Sequence, residues 1–445
     1  MIALRGADIA AALGLVAADA AASAVVTGLA TDHRTVRSGD LFLARKGERH
    51  DGRSFAGPAL AAGAALVIGE RGTPPHPLVL EVDDGLDALA SVAALVRARY
   101  VRPLVGVAGS AGKTSVKELL AGFLKPSRPT VASERSFNNR AGVPMTLCRI
   151  EADTQAAVVE LGTNHPGELA PLCALARPTT GVIVSIGAEH LEGFVDIDGV
   201  LREELALARA LPPGATLYVD GDDPVLAAAS YPPGIRVVKA GFGPSADLRA
   251  EIVPRADRAP AFRFGAKGPV IAAPRFPYSF VRSNLLLAAA IARDLGVSET
   301  ELAEIAPTLS PAPLRGEVRR CGAAVVWVDC YNANPLSAGR ALEELASAPG
   351  RRTAVLGDML ELGDGAALHH EDLGRRARAA GVSQVVFVGA HGADFRRGFG
   401  TGDVVLCSDA ASATAEFKRL VGDPGFVLLK ASRGIGLERV LEACP

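Results

Sequence analysis

The chain has 445 residues, of which 49% are hydrophobic and 22% charged, and its formal net charge is −2. At roughly 100–200 residues per domain, this length predicts a globular protein of two to four domains. The absence of a basic excess argues against binding to nucleic acid or to an anionic membrane surface. Arg5, Asp8 and Asp19 interrupt the alanine-rich start, and no later stretch offers 18 uncharged apolar residues. We therefore expect a cytoplasmic protein with neither a signal peptide nor an integral membrane segment.

Six cysteines are scattered along the chain without a CxxC pair or zinc-ligand spacing. This pattern predicts free thiols in a reducing compartment.

In chain order, the sequence divides into three blocks. Residues 1–83 contain the short apolar runs LFLAR (41–45), ALVIG (65–69) and LVLEV (78–82), separated by turn signals. Residues 84–312 begin with a helical pattern and continue with the strand candidates LVGVA (104–108), AAVVEL (156–161) and TGVIVSI (180–186), followed by a β-leaning stretch at 241–280.

Residues 313–445 show a regular alternation of strand-like and helical segments. The strand candidates are AVVWVD (324–329), TAVLGDM (353–359), QVVFVGA (384–390), DVVLCSD (403–409) and FVLLKAS (426–432). Strands that alternate with helices predict a parallel, doubly wound sheet.

A glycine-rich loop, GSAGKT (109–114), follows the strand LVGVA and precedes the helical segment VKELLAGFL. In this context the loop's backbone N–H groups and the helix N-terminus bind phosphate, Lys113 reaches the β- and γ-phosphates, and the Thr114 hydroxyl binds Mg²⁺. The longer standard motif would need glycine at position 107, where Val107 stands. A tight glycine turn without a ligand is the alternative interpretation.

Reading onward from this loop, the sequence resembles the Mur ligase family over nearly its whole length. The matching segments, in the family's order, are TDHRTVRSGDLFLARKGERHDGRSF (31–55), GSAGKTSVKELL (109–120), SFNNRAGVPMTL (136–147), VVELGTNHPGEL (158–169), IGAEHLEGF (186–194), DCYNANPLS (329–337), LGDMLELG (356–363) and LLKASRG (428–434). The segments ELGTNHPGE and DCYNANP discriminate best, because sister ligases carry different sequences there. They are similar to those of members that add D-alanyl-D-alanine to UDP-N-acetylmuramoyl-tripeptide.

The resemblance implies an α/β protein of three domains. Residues 1–83 would form a small α/β domain that binds the UDP substrate, residues 84–312 a P-loop ATPase-like domain that binds ATP, and residues 313–445 a Rossmann-like ligase domain with a parallel sheet. It also implies a monomeric enzyme of peptidoglycan precursor synthesis, which uses ATP and two Mg²⁺ ions. Such an enzyme forms an amide bond between a UDP-sugar peptide acceptor and a dipeptide amine through an acyl phosphate, releasing ADP and phosphate.

The resemblance also implies the residues of the site. The catalytic residues would be Lys113, Glu160, His190 and Arg315, and the metal ligands Thr114, Glu160, His190 and Glu204. The nucleotide would contact Gly109, Ser110, Ala111, Gly112, Lys113, Thr114, Ser115, Asn138, Asn139, Asn284, Arg315, Asp329, Tyr331 and Asn334. The acceptor and the amine would contact Thr31, Asp32, Arg34, Lys46, Gly47, Asp51, Thr163, Asn164, His165, Asn332, Asp358, Glu361 and His370.

Structural interpretations stay open for several of these residues. Glu160 could be an ordinary carboxylate at a strand end, His190 a structural histidine, and Asn138 and Asn139 turn residues. The segment 163–165 could cap a helix, because Pro166 and Glu168 follow it. The pair His369–His370 could instead be exposed on a helix.

Three positions depart from the family pattern. Glu204 stands where the family has a lysine that is modified to a carbamate, and a glutamate could supply the carboxylate without CO₂; a solvated helix residue beside a weak second metal site is the alternative. Ala111 replaces an asparagine or serine of the loop. Of the family's GxHNxxN run, YSFVRSN (278–284) retains only Asn284.

Two other functions remain open at this stage. The first is a Mur-type amide ligase that joins a different carboxylate and amine in a specialised pathway. The second is a nucleotide-binding pseudoenzyme that acts through a partner.

Overall fold

The N-terminal part of the chain is built on a small parallel sheet. The computed structural model describes residues 1–47, 50–276 and 281–444. The strands of this part are β1 (Leu4–Arg5), β2 (Val25–Val26), β3 (Gly28–Ala30), β4 (Asp40–Ala44), β5 (Leu66–Glu70) and β6 (Val79–Val82), and its helices are α1 (Gly6–Ala12), α2 (Asp19–Ser23) and α3 (Ala56–Ala61). β3, β4, β5 and β6 pair in that order and in parallel. The three apolar runs of the first block coincide with β4, β5 and β6.

A long helix, α4 (Gly85–Arg99), connects this sheet to the centre of the chain. It begins after Asp84, whose carboxylate accepts the backbone N–H groups of Leu86 and Asp87 at 2.7 and 3.0 Å. This capping satisfies donors that a helix start leaves without partners. α4 packs against β4 and β5 on one side and against helices of the central part on the other.

The central part contains a sheet of seven parallel strands. These are β7 (Leu104–Ala108), β8 (Thr130–Ala132), β9 (Ala156–Glu160), β10 (Thr180–Ile183), β11 (Thr216–Asp220), β12 (Arg236–Gly241) and β13 (Leu248–Arg249). They pair in the order β13-β12-β11-β10-β7-β9-β8. All residues of β7 and β9 are buried, as expected of apolar strands covered on both faces.

Helices and a small antiparallel sheet cover this sheet. They are α5 (Lys113–Leu124), α6 (Gly142–Leu147), α7 (Leu169–Ala176), α8 (Leu191–Phe194), α9 (Ile197–Ala210), α10 (Pro224–Ala228), α11 (Val281–Asp294) and α12 (Glu299–Ile305), with β14 (Glu251–Ile252), β15 (Ala261–Arg263) and β16 (Ile271–Ala272). α5 begins at Lys113, within the glycine-loop motif, and packs against α11. The loop therefore lies at the carboxyl edge of the central strand β7, the edge where such sheets bind ligands.

The C-terminal part contains a six-stranded mixed sheet. Its strands are β17 (Glu317–Cys321), β18 (Ala324–Val328), β19 (Arg352–Gly357), β20 (Gln384–Val388), β21 (Asp403–Cys407) and β22 (Gly425–Lys430), and its helices are α13 (Pro335–Ala346), α14 (Ala366–Ala379), α15 (Gly392–Phe399) and α16 (Ala410–Val421). The order is β17-β18-β22-β19-β20-β21, and only β17 runs antiparallel to its neighbour.

The α/β fold with parallel sheets is confirmed. All five strand candidates of the last block form strands, but the edge strand β17 was not predicted, because its sequence EVRRC is polar and mostly outside the core. The domain limits at 83/84 and 312/313 fall just after β6 and before β17, and they stay a prediction. Within residues 1–47, 50–276 and 281–444, no helix combines the length and apolar character needed to cross a membrane.

The prediction that all six cysteines are free thiols was wrong for one pair. Cys321, at the end of β17, forms a disulfide with Cys444, and their Cα atoms lie 5.2 Å apart. Cys148, Cys173, Cys330 and Cys407 are free. The pair is separated by 123 residues, so local spacing could not reveal that a short terminal 3-10 helix, Leu437–Ala443, ends beside β17.

The buried side chain of Arg97 connects the C-terminal ends of α4 and α7. Its guanidinium donates to the carbonyl oxygens of Tyr100, Ala176 and Arg177 at 2.6, 2.6 and 2.5 Å. These carbonyls follow or end α4 and α7, where a helix leaves acceptors unsatisfied and favours positive charge. The side chain is buried, so water cannot replace its hydrogen bonds.

We expect Arg97→Met to lower the free energy of unfolding by about 2–4 kcal/mol, because two buried carbonyls and one partly buried carbonyl would lose a charged donor. Urea denaturation of the wild type and the variant measures this loss. Arg102→Met is the matched control, since Arg102 is exposed, and it should change the free energy by less than about 0.5 kcal/mol. Equal effects of the two substitutions would contradict the role assigned to Arg97.

Candidate active site

A cleft between the central and C-terminal parts brings most of the predicted site together. It opens at the carboxyl ends of β7, β9 and β10. Its other side is formed by Arg315, by residues that follow β18 and by Lys430 at the end of β22. The predicted residues in its lining are Ser110, Ala111, Gly112, Lys113, Thr114, Ser115, Asn138, Asn139, Glu160, Thr163, Asn164, His190, Asn284, Arg315, Asp329, Tyr331, Asn332 and Asn334.

The glycine loop has a backbone that only glycine adopts easily. Gly109 and Gly112 have φ values of 117° and 89°, and a Cβ at Gly109 would lie 2.8 Å from the Val184 nitrogen. The loop is held by Ser185, whose carbonyl accepts the Ser110 N–H at 2.8 Å and whose hydroxyl accepts the Ala111 N–H at 3.1 Å. Ser185 thus supports the loop where Ala111 lacks a side-chain donor.

Glu160 connects the loop helix to the asparagine pair. Its buried carboxylate accepts hydrogen bonds from the Thr114 hydroxyl at 2.9 Å and from Asn138 Nδ2 at 3.0 Å. Asn139 instead accepts the N–H groups of Ala141 and Gly142 and shapes the turn into α6. The two asparagines therefore differ: Asn138 faces the carboxylate, and Asn139 holds the backbone.

Lys113 lies among three carboxylates. Its ammonium donates to the Gly109 carbonyl and lies 3.9 Å from Glu189 Oε2. Burial by itself lowers the pKa of Lys113, but Glu189, Glu204 and Glu160 more than offset that effect and raise it. Burial, strengthened by the nearby Glu204, raises the pKa of Glu189 to about 8 although Lys113 opposes the shift.

Glu204 lies underneath the loop and is outside the cleft lining. Its side chain is fully buried on α9, and Oε2 accepts the Gly109 N–H at 2.6 Å. Its other carboxylate oxygen, Oε1, has no hydrogen-bond partner among the described residues. Burial raises the pKa of Glu204, and Lys113 opposes that shift. The alternative of a solvated helix residue was therefore wrong, whereas the metal-ligand role stays a prediction.

His190 stands at the start of α8 with a left-handed backbone, φ 47°. Its Nδ1 is hydrogen-bonded to the carboxylate of Glu361 in the C-terminal part, and its Nε2 lies 3.9 Å from Glu189 Oε2. Burial lowers the pKa of His190, and Glu361 opposes the shift. Glu361 was expected near the amine substrate; the structure places it against the histidine.

Two further polar contacts join the C-terminal part to the central part across the cleft. Arg315 donates to the Ser136 hydroxyl at 2.9 Å, and its guanidinium carbon lies 4.0 Å from the centre of the Tyr331 ring. Asn334 Nδ2 lies 3.5 Å from the Ser110 carbonyl. These contacts, together with Glu361 and His190, hold the C-terminal part over the phosphate loop.

Asp329 and Asn332 are linked by a lysine that was not predicted. Lys430 donates to Asp329 Oδ2 at 2.8 Å and to the Asn332 carbonyl at 3.0 Å. On the opposite wall, Asn284 is buried against Gly112. Residues 278–280 of the departing YSFVRSN run lie outside the described residues.

The segment expected beside the acceptor is a loop rather than a helix cap. Thr163 donates to the His165 carbonyl at 2.8 Å, and Glu168 accepts the N–H groups of Asn164 and His165. α7 begins only after Glu168, whose side chain makes no capping bond. His165, unlike Thr163 and Asn164, is outside the cleft lining.

The side chains of Asp358 and His370 form hydrogen bonds with backbone groups of the C-terminal part. Asp358 accepts the N–H groups of Ala390 and His391 at 2.7 and 3.1 Å. His370 is fully buried; Nε2 accepts the Met359 N–H at 2.9 Å and Nδ1 lies 2.7 Å from the Ala366 carbonyl. An exposed His369–His370 pair was therefore wrong for His370, and neither Asp358 nor His370 lines the cleft.

A second pocket lies in the N-terminal part. Thr31, Asp32, Arg34 and Gly47 contribute to it, and His33 stacks on Phe55 with ring centres 4.2 Å apart. Lys46 and Asp51 pair with each other through a backbone bridge beside this pocket but are not in its lining.

Sequence reasoning missed several cleft residues. Ser136, Glu189 and Lys430 line the cleft but were not among the expected site residues. Each of these residues lies within a segment that matches the family, and the match could have identified them. Their contacts are with residues distant in the chain, which a local sequence pattern does not show.

Comparison with known proteins agrees with this arrangement. Three family models match the chain: "Mur ligase family, catalytic domain" at residues 25–97, "Mur ligase middle domain" at 107–292 and "Mur ligase, glutamate ligase domain" at 314–433. The UDP-N-acetylmuramoyl-tripeptide--D-alanyl-D-alanine ligase of Mycobacterium tuberculosis is 35% identical, over 96% of this chain and 93% of that protein. The enzyme of the same name from Escherichia coli is 32% identical, over 95% and 94%.

Solved structures show the same fold. MurF from Acinetobacter baumannii superposes with a TM-score of 0.86 and 26% identity, covering 99% of this chain and 98% of that one. MurF ligase from Thermotoga maritima in complex with ADP superposes with a TM-score of 0.81 and 27% identity, covering 94% and 97%. The matched models span all three parts of the molecule, and the chain therefore belongs to the Mur ligase family.

Proposed function

We propose that the protein is an ATP-dependent amide ligase that joins D-alanyl-D-alanine to UDP-N-acetylmuramoyl-tripeptide, as a monomer in the cytoplasm. The observation that carries this proposal is the phosphate loop, with Lys113 inside a cleft closed by Arg315 and Asn334 of a second domain. The names and nearly full-length coverage of the relatives support the substrate pair.

The cleft suits a reaction in which negative charge accumulates. The acceptor carboxylate attacks the γ-phosphate of ATP to give an acyl phosphate and ADP, and the amine then displaces phosphate to form the amide. Lys113, the backbone N–H groups at the start of α5 and Arg315 are assigned to this path as donors, which stabilise a phosphoryl-transfer transition state. Closure of the C-terminal domain excludes water, which would otherwise hydrolyse the acyl phosphate.

The N-terminal pocket is assigned to the uridine end of the acceptor. It combines a stacked His33–Phe55 pair with the polar side chains of Thr31, Asp32 and Arg34. An aromatic face and nearby hydrogen-bonding groups fit a nucleobase and its sugar. The loop at 163–168, near the central domain's Glu160, would then lie along the peptide toward the phosphates.

The chemistry of the donors fits Mg²⁺. The Thr114 hydroxyl and the Glu160 carboxylate are 2.9 Å apart at the edge of the cleft, and both are oxygen ligands. Among the described residues, no three His, Cys, Asp or Glu side chains converge closely enough to hold a metal ion by themselves. Mg²⁺ commonly uses one or two carboxylates and takes its other ligands from water and substrate phosphates. When bound, the ion would neutralise charge on the phosphates.

Glu204 is assigned to the support of the loop. Its carboxylate accepts the Gly109 N–H from below, in a fully buried position that the cleft does not reach. A glutamate is shorter than a carbamylated lysine by several bonds, which is consistent with this position. The negative charge still reaches Lys113 through space and raises its pKa.

The substrate assignment is tested by a panel of acceptors and amines with ATP, read as phosphate release and product mass. We expect turnover with UDP-N-acetylmuramoyl-tripeptide and D-alanyl-D-alanine, and a loss of about 10²–10³-fold in kcat for Lys113→Ala. Lys125→Ala is the matched control, because Lys125 is exposed just beyond the same helix.

Turnover only with another acid and amine would show that the substrate pair is wrong. ATP binding without turnover of any pair would support the pseudoenzyme.

For Glu204, we expect Glu204→Ala to weaken ADP binding about tenfold, because the buried Gly109 N–H loses its acceptor. The loss should be the same with and without Mg²⁺, and bicarbonate should not reverse it. Calorimetric titration with ADP, in the presence and in the absence of Mg²⁺, measures the dissociation constant under both conditions. Glu204→Gln, which retains an acceptor oxygen, and Arg202→Ala, at an exposed position two residues away, should bind ADP like the wild type.

A loss that occurs only with Mg²⁺ would make Glu204 a metal ligand instead. Unchanged binding in Glu204→Ala would remove its role in supporting the loop.

A further inference from the structure

One contact across the cleft joins two residues with unusual backbones. His190 and Glu361 have φ values of 47° and 65°, a left-handed region that non-glycine residues rarely occupy because it is strained. The Glu361 carboxylate is hydrogen-bonded to Nδ1 of His190. Strain of this kind persists only where surrounding contacts hold it, and here two domains supply those contacts.

The backbones around the pair also approach each other. The Glu192 N–H points to the Glu361 carbonyl at 3.4 Å. A Cβ at Gly363 would lie 3.4 Å from Glu192 Cγ. The start of α8 and the segment after Glu361 therefore meet as one interface, and Glu361 is delivered to His190 by the position of the C-terminal domain.

This contact determines which nitrogen of His190 faces the cleft. A carboxylate can only accept, so Nδ1 must carry a proton, and in the neutral ring Nε2 is then the free acceptor. Nε2 lies 3.9 Å from Glu189 Oε2, which in turn lies 3.9 Å from Lys113 Nζ. The free lone pair is thus on the side of the ring nearest to Glu189 and the phosphate loop.

We propose that Glu361 is a positioning residue that fixes the tautomer of His190 when the C-terminal domain closes, and so presents Nε2 to the reacting phosphates or their cation. A carboxylate bonded to the second nitrogen of a ligating histidine is the usual means of fixing such a ring. The proposal rests on the proposed function, because it assigns His190 to the cleft where the acyl phosphate forms. If the proposal holds, the closed state differs from the open state in the tautomer of His190 as well as in the exclusion of water.

The test reads the tautomer directly. Protein labelled with ¹⁵N-histidine is studied by two-bond ¹H–¹⁵N NMR, with and without ADP, and His190→Asn identifies the His190 signals. With ADP bound, the wild type should show the Nδ1–H form. Glu361→Gln should retain it, because the amide oxygen still accepts, whereas Glu361→Ala should give a mixture of both tautomers.

Kinetics provide the second readout, and Asp364→Asn the matched control. Asp364 is an exposed carboxylate in the adjacent 3-10 helix. With the substrates of the proposed function, Glu361→Ala should lose about tenfold in kcat with KM for ATP changed less than about threefold. Glu361→Gln should recover most of that loss, and Asp364→Asn should match the wild type in both measurements.

Three results would overturn the proposal: an Nε2–H tautomer in the ADP-bound wild type, an unchanged tautomer in ADP-bound Glu361→Ala, or a Glu361→Gln variant that loses as much kcat as Glu361→Ala. Because the NMR arm needs no turnover, it decides the role of Glu361 even if the wild type fails on the cell-wall substrates. That failure would count against the proposed function alone.

Discussion

The charge around Lys113 is the constraint on which the site depends. One ammonium lies among the carboxylates of Glu160, Glu189 and Glu204, all buried. Desolvation is costly for each carboxylate, and one lysine cannot balance three of them. Burial raises the pKa values of Glu189 and Glu204, and Lys113 only partly opposes these shifts. In the proposed reaction, a magnesium ion bound with the nucleotide would offset the charge of both the phosphates and the carboxylates.

The same carboxylates also shape the loop. Glu204 holds Gly109 from below, while Glu160 holds Thr114 at the first turn of α5. Ser185 holds the middle of the loop through its carbonyl and hydroxyl. The N–H groups of a phosphate loop bind well only when they are oriented before the ligand arrives. Two of the carboxylates that surround Lys113, those of Glu160 and Glu204, are thus also the groups that hold the loop in place.

The sequence predicted those parts of this arrangement that depend on local pattern. The buried strands, the loop and the order of the motifs require only neighbouring residues, and the structure has them where they were expected. What it could not predict were partners distant in the chain: Cys321 with Cys444, Lys430 with Asp329, and Glu361 with His190. The sequence also could not predict where the side chain of Glu204 lies. This residue aligns with a cleft residue of the family, but it lies beneath the loop. His370 shows the same limit: its place on α14 was predictable, but its complete burial was not.

Division of the site between domains determines when it can act. The loop, Glu160 and His190 belong to the central domain, whereas Arg315, Asn334 and Glu361 come from the C-terminal domain. Polar contacts join the two domains across the cleft, such as those of Arg315 with Ser136 and of Asn334 with Ser110. An open molecule would bind phosphates on the loop but would lack the arginine and the carboxylate that orients the histidine. An acyl phosphate would then form only after the second domain has arrived, which is also the moment when water is excluded. In the proposed mechanism, one movement of the C-terminal domain would complete the site and exclude water from the intermediate.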